Sequence, residues 1–184
     1  MSEPRIDVVL PFYGDLERLR IAVASVLAQD CQDFRLICVD DRSPDPTAGE
    51  WVRGLSDHRV TYVRNPRNLG LAANFDRCVD LVTAPWFVMM GADDVMLPQY
   101  METVLGLVSQ APHVAMVQPG VSVIDEHGAP YKPLADRVKA VLRPATHGRP
   151  RELKGKTLAQ SLTRADWAYF PSITWRADYV KKHR

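Results

Sequence analysis

The sequence lacks a glycine-rich turn of the form G-x-G-x-x-G, with which many α/β proteins bind nicotinamide or flavin dinucleotides. Where such a turn is expected, directly after the first strand-like run, the chain has Pro11-Phe12-Tyr13-Gly14. A Gly-rich, Arg-containing loop, typical of sugar nucleotidyltransferases, is missing from the same position. These two absences argue against a dinucleotide-dependent oxidoreductase and against a nucleotidyltransferase.

An excess of charge of either sign is also missing. The chain has 23 Lys and Arg residues against 22 Asp and Glu residues, a formal net charge of +1. We therefore expect no nucleic-acid partner and no attraction of the chain as a whole to an anionic bilayer, so any charged ligand must be bound by a local cluster of side chains.

Cysteine is scarce, and long apolar runs are absent. Cys31, Cys38 and Cys78 are odd in number and have no C-x-x-C spacing, which predicts free thiols in a reducing compartment. No stretch approaches the roughly 18 to 20 apolar residues of a membrane span, and the first residues do not resemble a signal peptide. These features predict a cytoplasmic location.

Strands and helices alternate regularly through the first part of the chain. The predicted strands are Ile6–Phe12, Phe34–Val39, Val60–Val63 and Trp86–Met90. The predicted helices begin near Leu16, Pro46, Leu71 and Pro98, and in the third of them Leu71, Phe75, Cys78 and Val82 mark one apolar face. The pattern predicts an α/β fold with a mostly parallel sheet covered on both faces, and ligands at the carboxyl ends of its strands.

The pattern changes after the fourth helix. Runs at 114–117 and 121–124, followed by a turn at 125–128, predict an antiparallel element. Residues Lys132 to Lys156 are basic, contain proline and have weak periodicity, which fits a mobile loop or lid, or an exposed connector. We predict a ligand-binding domain over residues 1–130 and a mobile loop with the start of an acceptor-side segment over 131–184.

Aromatic residues are concentrated from Trp167 to Trp175. Two interpretations are open for them: a small core patch, or an aromatic platform for a sugar or lipid.

Two acidic pairs lie at predicted strand ends. Asp93 and Asp94 repel one another unless a cation or hydrogen-bond donors compensate them, and oxygen ligands of this kind favour Mg²⁺ or Mn²⁺ completed by substrate phosphate. The alternative is that one of them caps the following helix. Asp40 and Asp41 either form a turn or offer a carboxylate to the imide N–H of a pyrimidine base. Tyr13 either packs on the sheet edge or stacks on a base.

In order along the chain, four motifs stand at these strand ends: Pro11-Phe12-Tyr13, Asp40-Asp41-Arg42-Ser43, Asn68-Leu69-Gly70 and Ala92-Asp93-Asp94. Together they resemble the motifs of family 2 glycosyltransferases, over about Ile6 to Val117. A receiver domain, which also has acidic strand ends, is the weaker match because its acidic pair follows the first strand.

The resemblance implies a GT-A fold that binds a nucleoside-diphosphate sugar. It places Pro11 and Tyr13 around the base, with Asp15 closing the same pocket, and gives Asp41 a hydrogen bond to the base. The loop and helix start that pass near the donor would contribute Arg67, Asn68, Gly70 and Asn74. Asp93 would contact ribose and metal, and Asp94 would be the direct ligand of Mg²⁺ or Mn²⁺.

The resemblance also implies inverting transfer of a hexosyl or deoxyhexosyl group from a UDP- or dTDP-linked sugar to a hydroxyl of a saccharide or lipid-linked glycan, in bacterial glycan synthesis. Peripheral contact with the inner membrane face stays open. The catalytic base of such enzymes lies in a later acidic pair, which we expect beyond Arg184, and Asp166 and Asp178 fit capping or exposed positions better. A noncatalytic nucleotide-sugar-binding module is the alternative.

Overall fold

The computed structural model describes residues 5–125, 127–131, 133–146 and 148–184. It divides the chain into two compact units. The first comprises residues 1–119 and 170–184, and the second comprises residues 120–169. This division differs from the predicted one in joining the last residues of the chain to the first unit.

A six-stranded sheet forms the centre of the first unit. Its strands are β1 (Ile6–Phe12), β2 (Phe34–Asp40), β3 (Val60–Arg64), β4 (Trp86–Met89), β5 (Met116–Val117) and β6 (Thr174–Arg176). In the order β3-β2-β1-β4-β6-β5, the first four strands are parallel, and β6 pairs antiparallel with both β4 and β5. The predicted α/β fold with an antiparallel part is confirmed.

Helices follow the parallel strands, as the alternation predicts. In the first unit they are α1 (Leu16–Leu27), α2 (Thr47–Arg53), α3 (Leu71–Leu81), α4 (Tyr100–Gln110) and α7 (Ala177–His183). The second unit contains α5 (Leu134–Leu142) and α6 (Gly155–Arg164). Among the described residues, no helix has both the length and the apolar character needed to cross a membrane.

Alternating side chains of the strands bury both faces of the sheet. On one face the core is formed with α1, α2 and α4, and includes Val8, Leu10, Leu36, Val23, Val52 and Val104. On the other it is formed with α3 and α7, and includes Val9, Ile37, Phe87, Val79 and Ala177. Burial on both faces explains why β1, β2 and β4 are continuous apolar runs rather than alternating ones.

The predicted strand at 121–124 is wrong. In place of a strand, an isolated antiparallel bridge joins Ile124 and Pro130, with hydrogen bonds of 2.9 Å from Tyr131 N to Val123 O and from Asp125 N to Ala129 O. The predicted turn forms, since Gly128 N donates to Asp125 O at 3.0 Å. Val121 and Ile124 are exposed, so no buried face stabilises a regular strand. Glu126, in the predicted turn, lies outside the described residues.

The segment from Lys132 to Lys156 is not a continuous loop. Its weak periodicity concealed a helix. The segment contains α5 and the first residues of α6, while Lys132 and His147 lie outside the described residues. Pro133 and Pro144 bound a helix of only nine residues, so its apolar spacing is short and easily overlooked.

Candidate functional site

The carboxyl ends of β1, β2 and β4 lie side by side, because these strands are parallel neighbours. A cavity of about 450 Å³ opens there, within the first unit. Its lining residues are Pro11, Phe12, Tyr13, Asp41, Asn68, Gly70, Leu71, Asn74, Phe75, Met89, Met90, Gly91, Ala92, Asp93, Phe170 and Pro171. The cavity thus brings together residues from all four motifs.

The chain leaves β1 through a tight turn at the cavity rim. Tyr13 is 54% exposed, so its ring is available to a ligand and is not packed away on the sheet edge. Gly14 has a positive φ of 74°, and its N–H donates to Ser43 Oγ at 2.8 Å, which ties the loops after β1 and β2 together. Asp15 caps α1 by accepting from Arg18 N at 3.1 Å, and it is not among the residues that line the cavity.

The two carboxylates after β2 have different surroundings. Asp40 is fully buried and accepts hydrogen bonds from Ser43 N at 2.7 Å and Tyr62 Oη at 2.8 Å. Burial, followed by this bond to Asp40, raises the pKa of Tyr62 to about 12. Asp40 therefore forms the turn that was one interpretation of the pair, whereas the neighbouring Asp41 lines the cavity.

Asp41 organises the loop that precedes α3. Its Oδ1 accepts from Asn65 Nδ2 at 2.8 Å and Leu69 N at 2.9 Å, and its Oδ2 accepts from Gly70 N at 2.9 Å. Asn65 Nδ2 also donates to Asn74 Oδ1 at 2.8 Å. These bonds hold a carboxylate and a buried amide at fixed positions in the cavity wall. Sequence reasoning missed Asn65, which supports the site without lining it.

Gly70 occupies a backbone conformation that favours glycine. Its φ of 76° and ψ of 167° lie outside the regions that other residues readily adopt, and it is the N-cap residue of α3. Its N–H also donates to Asn68 Oδ1 at 2.8 Å. Asn68 and Gly70 reach the cavity, whereas the exposed Arg67 is not among its lining residues.

The second acidic pair is shaped by Gly91. The Gly91 N–H donates to Asp94 Oδ2 at 3.0 Å, and Asp94 N donates back to Gly91 O at 3.2 Å. A Cβ atom on Gly91 would lie 2.5 Å from Asp94 Oδ2 and 2.8 Å from Asp93 Oδ1. Residue 91 must therefore be small for both carboxylates to lie this close to the backbone.

Neither member of this pair caps a helix, so that interpretation is wrong. The next helix, α4, begins at Tyr100 with Gln99 at its N-cap position and no side-chain capping bond. The two carboxylates lie several residues earlier, where Asp93 is exposed and lines the cavity and Asp94 is half-buried beside it.

The pair has the electrostatic character of a cation site. Burial, then the charge of Asp93, raises the pKa of the Asp94 carboxyl, while the Gly91 N–H acts in the opposite direction. A divalent cation would relieve this repulsion. No cluster of three or more His, Cys, Asp or Glu side chains suited to a metal occurs in the described part of the chain. The pair therefore fits a cation such as Mg²⁺, whose remaining ligands would be phosphate and water.

One wall of the cavity is aromatic and apolar. Phe75 stacks on Phe170 with ring centroids 5.6 Å apart and planes 5° from parallel, and Phe170 is 42% exposed. Leu71 is 74% exposed, which corrects its prediction as an inward-facing residue of α3. Trp175 packs against the core, which confirms the core interpretation for that residue, while Phe170 lines the cavity and the interpretation as a sugar or lipid platform stays a prediction.

Sequence reasoning missed the part of this wall that α3 contributes, because it treated the start of α3 as core. The helical spacing of Leu71 and Phe75 is real, but the first turn of α3 extends beyond the sheet and meets the cavity instead. Met89 and Met90 were likewise assigned to a strand without a role at its end. Their position directly before Gly91 was the available signal.

A second cavity, of about 390 Å³, lies where β4 begins, and its wall includes Arg5, Trp86, Ser109 and Asp178. The four motifs contribute no residue to it. In open α/β sheets ligands bind at the carboxyl ends of the strands, which favours the cavity beside Asp93.

Proteins of known sequence resemble the chain along most of its length. EpsE of Bacillus subtilis (strain 168) is 28% identical over 130 residues, covering 69% of this chain and 46% of the relative. An uncharacterized glycosyltransferase of Methanocaldococcus jannaschii is 24% identical over 185 residues, covering 99% of this chain and 59% of the relative. The chain thus spans about half the length of the relatives it matches.

Solved structures share the fold. S. aureus TarS 1–349 in complex with UDP has a TM-score of 0.70 at 14% identity, over 97% of this chain and 48% of that one. The mannosyltransferase PcManGT from Pyrobaculum calidifontis, in complex with GDP-Man and Mn²⁺, has a TM-score of 0.68 at 15% identity, over 98% and 47%. The expected GT-A fold is therefore confirmed.

The family profile of glycosyl transferase family 2 matches residues 7–170, which include all four motifs and the cavity wall contributed by Phe75 and Phe170. The chain belongs to glycosyl transferase family 2.

Proposed function

We propose that the chain binds a nucleoside-diphosphate sugar in the cavity at the ends of β1, β2 and β4 and serves as the donor-binding part of a glycosyltransferase. The observation that carries this proposal is the single cavity bounded by Tyr13, Asp41 and Asp93. The aromatic ring would stack on the nucleobase, and the fixed carboxylate would accept a hydrogen bond from the edge of that nucleobase. The acidic pair would bind a cation that holds the diphosphate.

The base end of the donor would lie between Tyr13 and Asp41. The exposed Tyr13 ring offers a stacking surface for a planar base. A carboxylate oxygen can accept more than one hydrogen bond, so Asp41 Oδ2 can accept a pyrimidine imide N–H in addition to the Gly70 N–H. Uracil and thymine present such an imide N–H, which supports the UDP- or dTDP-linked donors that the family resemblance implies. Pro11 and Asn74 would complete the walls around the nucleoside, and Asn68 and Gly70 would border it.

The diphosphate end would lie at Asp93 and Asp94. These residues would hold Mg²⁺ or Mn²⁺, with Asp94 as the direct ligand and Asp93 shared between ribose and cation. A bound divalent cation would supply Lewis-acid stabilisation of the charge that develops on the departing diphosphate. The Mn²⁺ in the PcManGT complex supports this proposal by similarity of fold. Arg67 and Asp15 do not line the cavity. They remain predicted contacts for a part of the donor that extends out of it.

Transfer would proceed by attack of an acceptor hydroxyl on the anomeric carbon, with inversion. The bond from that carbon to the diphosphate oxygen breaks, the nucleoside diphosphate leaves, and a general base takes the hydroxyl proton. We assign no residue of this chain to that base. The acceptor is a saccharide or lipid-linked glycan. The Phe75–Phe170 stack and Leu71 form the wall on which an apolar sugar face would pack.

Nuclear magnetic resonance of the ¹⁵N-labelled chain, titrated with UDP in the presence of Mg²⁺, tests the proposal at the level of individual amides. Mg²⁺ is used because Mn²⁺ is paramagnetic and would broaden the signals. We expect the largest shifts at Gly70, Asn74 and Gly91, which line or support the proposed donor cavity. Ser109 and Asp178, in the wall of the second cavity, serve as the internal control. Shifts confined to the second cavity, or none with UDP, dTDP and GDP alike, would contradict the proposed donor site.

A further inference from the structure

Helix α5 exposes its apolar side chains to solvent. Leu134, Val138, Val141 and Leu142 occupy positions i, i+4, i+7 and i+8 of the helix, which is the spacing of a single face. They are 76%, 48%, 83% and 45% exposed, respectively. A helix of a globular protein normally turns such a face to the core, so this helix is oriented the opposite way.

The polar side of α5 is the side that packs within the second unit. Asp136 Oδ1 accepts a hydrogen bond from Tyr169 Oη at 2.5 Å, and Lys139 Nζ lies 5.1 Å from the centroid of the Tyr169 ring. Asp136 and Lys139 are correspondingly half-buried. These contacts fix the rotation of the helix and leave its apolar face outward.

The surroundings of this face are basic. Residues 120–169 contain nine Lys and Arg residues against five Asp and Glu residues, although the whole chain has 23 against 22. Arg137 lies one turn before Val141 and borders the apolar face. Exposed cations continue after the helix, at Arg143, Arg149 and Arg151. The second unit therefore carries a local positive charge that the rest of the chain offsets.

We propose that α5 docks on an anionic lipid surface, lying in the plane of the interface with Leu134, Val138, Val141 and Leu142 inserted at the boundary between headgroups and acyl chains. An exposed apolar face bordered by cations is the combination that interfacial helices present to acidic phospholipids. A nucleic acid would bind the cationic side chains but would leave the apolar face exposed, so it fits this surface less well. A single short helix gives weak, reversible binding, which suits peripheral rather than permanent attachment. No residue of α5 lines the proposed donor cavity, and the inference does not rest on the proposed function.

Co-sedimentation of the whole chain with vesicles tests the proposal. We expect the chain to bind mixed phosphatidylcholine–phosphatidylglycerol vesicles, to bind phosphatidylcholine vesicles weakly, and to dissociate as salt is raised. The double variant Val138→Gln/Val141→Gln keeps the charge and a helix-forming residue at each position, and it should lower the partition coefficient at least about tenfold. Arg137→Gln should weaken binding to the anionic vesicles only.

The matched control is Ala140→Gln, which adds the same side chain to the polar side of α5 and should bind vesicles like the unmodified chain. Circular dichroism verifies that each variant is folded. Equal binding to neutral and anionic vesicles, or undiminished binding by Val138→Gln/Val141→Gln, would overturn the proposal. It would also be overturned if sedimentation velocity showed a dimer that this double variant abolishes and vesicles did not bind, because a second copy would then cover the face.

Discussion

At the scale of single residues, Gly91 determines how the acidic pair is presented. Its N–H donates to Asp94, and both carboxylates approach its Cα more closely than a Cβ atom would permit. The atoms that a side chain would meet are the ends of Asp93 and Asp94, which can rotate away. A substitution there should therefore move the carboxylates without unfolding the chain.

Gly91→Ala should weaken manganese-dependent binding of the nucleoside diphosphate by about 10- to 100-fold, the usual cost of misplacing metal ligands. The matched control is Gly106→Ala in α4, where an added Cβ meets no atom within 4 Å. It should leave binding unchanged and raise stability by about 0.5 to 1 kcal/mol. Calorimetric titration and thermal melting of both variants check the expectation. Unaltered binding by Gly91→Ala would show that the pair does not hold the cation.

Asp94→Asn removes the charge of the proposed direct ligand while keeping the shape of the side chain. We expect the affinity for nucleotide in manganese to fall at least about tenfold, with no loss of fold. Asp30→Asn, at an exposed position on the chain outside the cavity wall, is the control for a change in charge. If Asp94→Asn binds nucleotide in manganese as tightly as the unmodified chain, the assignment of Asp94 is wrong.

The raised pKa of Asp94 has a consequence for stability in the absence of metal. Since its pKa is higher in the folded chain than in the unfolded chain, folding favours the protonated form, and stability should fall as pH rises through that raised pKa. Asp94→Asn cannot ionise there, so it should gain stability relative to the unmodified chain over the same interval. Melting temperatures of both proteins against pH, in EDTA and then in manganese, test this; the metal should reverse the trend for the unmodified chain only.

At the scale of elements, an ion pair between a buried aspartate and a half-buried arginine joins β1 to its neighbours. Asp7 is fully buried and accepts from Arg35 Nε at 3.0 Å and Nη2 at 2.8 Å, across the β1–β2 pairing. It also accepts from Thr83 N at 2.7 Å and Ala84 N at 2.9 Å, where the chain enters β4. Asp7 therefore links the three strands whose far ends form the candidate site.

Asp7→Ala should destabilise the chain by about 3 to 5 kcal/mol, because it leaves the Arg35 charge and two backbone donors without their acceptor. Arg35→Met in the same chain should recover part of that loss, since no charge then remains unpaired. Urea unfolding of the single and double variants measures both effects. A loss below about 1 kcal/mol for Asp7→Ala would show that this pair contributes little.

Helices and strands whose regularly spaced apolar residues are buried could be predicted from the sequence, and helices and strands that lie exposed could not. β1, β2 and α4 were found because continuous apolar runs and helical spacing match their burial in the core. α5 was missed and the strand at 121–124 was wrongly predicted, since neither segment buries the apolar residues that it contains. In these two segments the apolar residues are exposed, so the spacing of apolar residues does not indicate which side chains are buried.

At the scale of the whole molecule, the parallel pairing of β2, β1 and β4 brings motifs that are far apart in the sequence into one site. Residues from Pro11 to Pro171 meet in one cavity because β1, β2 and β4 are neighbours and the chain returns through β6 beside β4. The positions of Tyr13, Asp41 and Asp93 at strand ends were predictable from strand order alone. The contribution of Phe170 was not, because antiparallel pairing of β6 with β4 depends on contacts between residues far apart in the sequence.

Calorimetric titration of the chain with UDP, dTDP and GDP, each in manganese and in EDTA, tests the proposed donor site most directly. The arrangement of Tyr13, Asp41, Asp93 and Asp94 predicts that UDP or dTDP binds in manganese and that EDTA removes the binding. Absence of binding for all three nucleotides would contradict the donor site. Equal binding in EDTA and in manganese would contradict the cation site at Asp93 and Asp94.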